Sequence, residues 1–127
     1  MTLTFFNLSF VPMPDNIHSR GEGEDQVMIM HARIKFDNSV IGVSFGPARK
    51  CRTHTERETL TGKKPSKADI EKARLSTDTG DWHSFEVTLH NQHGQDMHCW
   101  DNCTREDIDA LLRMFGRMQS QHQYESI

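Results

Sequence analysis

The chain has 127 residues, 35% hydrophobic and 26% charged, with a formal charge of −3; this suits one domain with a thin core and is short for two. No apolar run approaches the roughly 20 residues of a membrane-spanning helix, and Asn7 and Ser9 interrupt the N-terminal apolar stretch well before the first basic residue, Arg20, so neither a membrane partner nor a signal peptide is expected. Three cysteines, an odd number, fit a reducing compartment better than a disulfide framework, and a cytoplasmic location follows as the expectation.

Residues 3–11 read as a first strand, with Phe6, Leu8 and Phe10 facing the core and Pro12 and Pro14 ending it. The stretch through Asp25, rich in Gly, Asp and Glu, reads as a solvated connection. Residues 27–36 and 40–45 alternate as two strands of a hairpin. A two-residue loop at Asn38-Ser39, with Asn38 taking positive φ, pairs Phe36 with Ile41, Ile34 with Val43 and Ala32 with Phe45. All six then share one face, while His31, Arg33, Lys35 and Ser44 share the other.

From Ala48 to Pro65 there is no useful periodicity, which marks a long basic loop over 46–65. Ser66 with Asp69 three residues on opens a short helix that runs to about Arg74. Residues 85–89 alternate again, and Gln92-His93-Gly94 forms a three-residue turn into a return strand, Met97 to Trp100. That turn pairs Leu89 with Met97 and Val87 with Cys99 inside, and puts Trp100 and His98 on the opposite face. Thr104 and Asp107 mark the start of an amphipathic helix whose stripe is Ile108, Leu111, Leu112, Phe115 and Met118. The tail 119–127 is polar and expected to fray. The predicted fold class is α+β: one domain over 1–127, a mostly antiparallel sheet of about five strands, with the C-terminal helix and the short second helix on one face.

Charge is distributed unevenly. Residues 46–81 hold nine of the fifteen Lys and Arg against six acids, a local +3, which leaves −6 on the remainder. Within 49–67 the candidate contact residues are Arg49, Lys50, Arg52, Arg57, Lys63, Lys64 and Lys67. An acidic body repels phosphate over most of its surface, so an acidic protein surface is a better expected partner for this loop than nucleic acid. The loop also lacks the interleaved aromatics that stack single strands. Trp100 and His98, among polar neighbours, are the second candidate contact.

Cys51, His54, Cys99 and Cys103 form two pairs that could hold zinc, but C-x2-H and C-x3-C lack the tight C-x2-C spacing, and no metal or other cofactor is expected. Cys51 beside Arg49, Lys50 and Arg52 could have a depressed pKa, the basis of an alternative reading as a small enzyme or redox sensor. No nucleophile elbow, zinc-protease helix or phosphate-binding fingerprint is present. The leading expectation is therefore a small non-enzymatic binding protein: an inhibitor, immunity-type or accessory factor of the kind frequent in phage and mobile elements. Nucleic-acid binding through 49–67 is the alternative.

Overall fold

Two antiparallel hairpins form the middle of the fold: β2 (Met28–Lys35) with β3 (Ser39–Phe45), and β4 (Phe85–Asn91) with β5 (Asp96–Cys103). A computed structural model describes residues 3–14, 28–57, 62, 64–118 and 125–126. β3 pairs with β4, and β1 (Val11–Pro14) lies outside β2, so the sheet runs β1-β2-β3-β4-β5 with every neighbour antiparallel. The outer edge of β2 is shared. β1 lies opposite residues 28–31, and β6 (Glu125–Ser126) lies opposite Ile34 and Lys35. Of the tail expected to fray, these two residues are therefore strand; the rest of 119–127 lies outside the described residues. Among the described residues three α-helices join the sheet: α1 (His54–Arg57), α2 (Lys67–Ala73) and α3 (Arg105–Met118).

The core lies between one face of the sheet and α3. Ile34, Phe36, Ile41, Val43, Phe45, Phe85 and Val87 come from the sheet, Ile108 and Leu112 from α3, and Trp82 from the link before β4. Ile108 and Leu112, four apart and on one helix face, are the deepest residues of α3, while Leu111 and Phe115 are half-buried against the same cluster. Thr104 and Asp107 form a reciprocal cap, each side chain accepting from the other's backbone amide at 3.2 and 3.0 Å. Ser66 and Asp69 do the same for α2. Arg105 ties α3 to the link, donating to the carbonyls of Trp82 (3.0 Å) and Thr79 (2.6 Å) with its guanidinium over the rings of Phe5 and Phe85.

The N-terminal segment departs from the expected strand. Phe5–Asn7 form a 3-10 turn, with the Thr4 amide donating to the Asn7 side chain. A period of three replaces a period of two, so Phe5 packs inward at 4.9 Å from the Phe85 ring and Phe6 is turned out to solvent. Leu8 and Phe10 still reach the core. The strand starts only at Val11 and includes both prolines. Pro12 and Pro14 are two apart, so their donor-less nitrogens point the same way, which an edge strand tolerates.

Both hairpins differ from the expected register, with different consequences. In β2–β3, Ile34 pairs with Ile41 and Ala32 with Val43, and the Phe36 amide donates to Ser39 across an Asp37-Asn38 loop. Asn102 is the one non-glycine with positive φ among the described residues, so Asn38 does not take the conformation expected of it. The shift is two residues, which keeps every side chain on its face.

In β4–β5 the turn is as expected: Gly94 has φ 80° and the Asn91 amide donates to Gln95. Met97 then bulges out, so Leu89 pairs with His98 and Val87 with Trp100. This one-residue slip reverses the expected faces: Trp100 packs half-buried against the core, and Cys99 and Met97 are exposed. A second bulge sets Asp101 and Asn102 opposite Glu86, with Asn102 at φ 54°.

Candidate functional site

The described part of the basic segment is an ordered arch held by one side chain. Arg74, just past the end of α2, donates to the carbonyls of Gly46, Pro47, Arg49 and Cys51 and to the Glu56 carboxylate, at 2.8–3.2 Å. Its guanidinium also stacks 5.3 Å from the Trp82 ring. The planar fork of five donors suits such convergent carbonyls. Glu56 in turn caps the single turn of α1, accepting from the Thr53 amide at 2.7 Å. Thr53 bridges to Trp82, and the Arg52 carbonyl accepts from His83 and Ser84. Thus the long aperiodic stretch is pinned along 46–57, while 58–61 and Lys63 lie outside the described residues.

Three other acids of 46–81 are also engaged locally, while Glu71 is exposed on α2 and Glu58 lies outside the described residues. Asp69 caps α2, Asp78 caps the turn before Trp82, and Asp81 accepts from Ser76. The cations fare differently. Arg52, Arg57, Lys64, Lys67 and Lys72 are exposed. Lys50 is also exposed, with its Nζ 3.7 Å from Asp101. Arg49 is structural: it pairs with the largely buried Glu86 at 3.3 Å, and Glu86 also accepts from the Lys50 amide at 2.8 Å. Beside the arch is an open cleft of about 1010 Å³, lined by His54, Lys64, Asp69, Lys72, Leu75 and Asp81 among others. Leu75 stands at its rim as an exposed apolar side chain.

Trp100 and His98 do not join this surface. Their rings pack edge to face at 4.4 Å on the core-side face of β5. Cys51 and Cys103 are buried, Cys99 is exposed, and all three are free; Cys99 and Cys103 line one cleft between β5 and α3, without Cys51 or His54. Among the described residues no three His, Cys, Asp or Glu side chains converge as a metal site. The Cys51 thiol is not depressed as its cationic neighbours suggest. Burial raises it to about 11, outweighing the favourable charge of Arg74, so at neutral pH it is a protonated, inert thiol.

The outer face of the sheet holds a cluster that reading the sequence does not assemble. Gly42, mid-strand in β3, is overhung by His31 from β2 and Thr88 from β4; a Cβ on Gly42 would lie 3.0 Å from both His31 Nε2 and Thr88 Oγ1. The Thr88 hydroxyl is 3.1 Å from His90 Nε2, and His90 Nδ1 lies 2.7 Å from the Asp96 carboxylate, off the line of a good N–H···O bond. Hydroxyl, imidazole and carboxylate stand in the order of a nucleophile relay. Thr88 is nevertheless mid-sheet between Gly42 and Cys99, where the neighbouring backbone amides serve the ladders and are not available to stabilise an oxyanion. His31 is held neutral, its pKa lowered to about 4 by burial and then by the charges of Arg33, Arg49 and His90. The only sequence signal for the cluster is Gly42 inside an otherwise β-branched strand.

Fold and surface together define a small α+β domain: one antiparallel sheet, one covering helix and a braced basic arch. No helix among the described residues is long and apolar enough to cross a membrane. Neither a protein-family model, nor a curated protein, nor a solved structure matches the chain.

Proposed function

We propose that this chain is a non-enzymatic cytoplasmic binding protein, an inhibitor, immunity-type or accessory factor, whose basic arch docks on an acidic protein surface. The observation that carries this reading is the division of labour among charges. Of the segment's described carboxylates all but Glu71 are spent as caps and braces, while Arg52, Arg57, Lys64, Lys67 and Lys72 face solvent, Lys64 and Lys72 lining a cleft that also presents the exposed Leu75. Such a surface offers steering by charge and one apolar anchor. The −6 on the rest of the chain favours a partner presenting a local acidic patch over a polyanion. Three free thiols support a reducing compartment.

The test is affinity capture from lysate, with and without nuclease, using the native chain and a Lys64→Glu, Lys67→Glu variant. A nuclease-resistant protein partner lost in the variant supports the reading. Random duplex bound at micromolar concentration, with a log–log salt slope near −0.9 per phosphate neutralised and loss in the same variant, would replace it with nucleic-acid binding.

A further inference from the structure

On the side of the sheet away from β1, β5 is the terminal strand, and among the described residues no strand pairs with its outer edge; near its end the Asn102 amide donates to the Lys50 carbonyl at 2.9 Å. The edge is guarded. Bulges at Met97 and at Asp101-Asn102 interrupt it, and Asp96 and Asp101 are exposed on it. Between the bulges the residues His98, Cys99 and Trp100 keep regular strand pairing. Beside them opens a cleft of about 560 Å³ between β5 and α3, lined by Trp100, Cys103, Leu111 and Met114 with Asp101 and Asp107 at its rim. Met114 and Met97 are exposed, and Trp100 and Leu111 are half-buried, so apolar surface borders an unpaired strand.

We propose that this edge binds an extended peptide segment with alternating basic and apolar residues. The segment adds as a short strand to β5 and drops apolar side chains into the Trp100–Met114 cleft. Main-chain pairing supplies affinity in this mode, and pockets for alternate side chains supply selectivity. Charge selects the occupant. Asp101 and Asp107 line the cleft, and Asp96 is exposed on the same strand; Lys50 lies 3.7 Å from Asp101, and Arg113 is exposed on α3 but does not line the cleft. A second copy of β5 brings the same carboxylates with it, and like charges across a strand pair are unfavourable. A basic strand meets opposite charge instead. Because only three residues lie between the bulges, the complex is weak and exchanges quickly.

The surface adjoins the basic arch at Lys50, whose carbonyl accepts from the Asn102 amide at 2.9 Å and whose Nζ lies 3.7 Å from Asp101, whereas Lys64 and Lys67 are not among the residues of the cleft, so substitutions there distinguish failure of one reading from failure of the other. The probe is a fluorescein-labelled heptapeptide alternating lysine and valine, titrated against the whole chain by anisotropy. Trp82 is fully buried and Trp100 half-exposed, so a change in tryptophan emission reports on the cleft. Binding should shift that emission, slow amide exchange in 98–100, and survive Lys64→Glu, Lys67→Glu. Removing the peptide's backbone donors by N-methylation keeps its charge and side chains; loss of even one or two strand hydrogen bonds should then weaken binding by about 10-fold or more. Met114→Gln, on an exposed helix position, should weaken it without unfolding the chain, as should glutamate in place of the peptide's lysines. Equal binding of the N-methylated peptide would overturn strand addition. Unchanged affinity in Met114→Gln with unchanged tryptophan emission would overturn the cleft.

Discussion

Replacing Arg74 is the sharpest perturbation of the candidate site, because it removes the arch's brace without touching an exposed cation. Its five N–H groups make seven contacts of 2.8–3.2 Å to four carbonyls and one carboxylate. Both partners of the Arg74–Glu56 pair are more than four-fifths shielded, so solvent screening discounts it little. A typical internal hydrogen bond contributes about 1 kcal/mol net, and breaking a shielded ion pair strands the remaining charge, so Arg74→Ala should cost about 3–5 kcal/mol. Stacking on Trp82 adds to this by about 1 kcal/mol. Arg74→Lys keeps the charge but cannot fork to four carbonyls; about half the loss should persist. Urea unfolding followed by tryptophan fluorescence gives the energies, and amide exchange shows where the structure opens, expected first at 46–57. A cost under about 1 kcal/mol for Arg74→Ala, with unchanged exchange in 46–57, would refute the idea that this side chain organises the arch. Partner capture should also fall in Arg74→Ala, although Arg74 itself is covered.

Within α3, Ile108→Ala and Leu112→Ala should each cost roughly 2–5 kcal/mol, and half-buried Leu111→Ala less; chemical denaturation of the three variants tests that order. Cys99 is exposed and Cys51 buried, both with thiols raised to about 11, so a disulfide reagent at pH 8 should label Cys99 first; faster labelling of Cys51 would contradict its burial. His31 titrates near 4 in the fold and near 6.5 when unfolded, so between these values the unfolded chain binds the extra proton. Stability should therefore fall as pH drops from about 6.5 towards 4, and His31→Gln should flatten that slope in urea midpoints measured across the window.

What the sequence determines by itself is whatever rests on neighbours a few residues apart. The Ser66/Asp69 and Thr104/Asp107 caps, the stripe of α3 and the Gly94 turn lie where local chemistry places them, because each bond spans no more than about one turn. Alternation also sorts the faces of β2 and β3, and survives a two-residue error in register because side chains repeat every two residues. The same logic fails in β5, where one bulged residue, Met97, turns Trp100 inward; no local signal marks a residue that is extra only relative to its partner strand. The basic segment shows the limit most plainly. Composition finds its cations, yet which of them stay free depends on Glu86, which takes Arg49, and on Arg74, which holds a stretch beginning 28 residues earlier. Those contacts exist only once the sheet and α2 are assembled, since bringing such distant groups together costs chain entropy that tertiary packing has to offset.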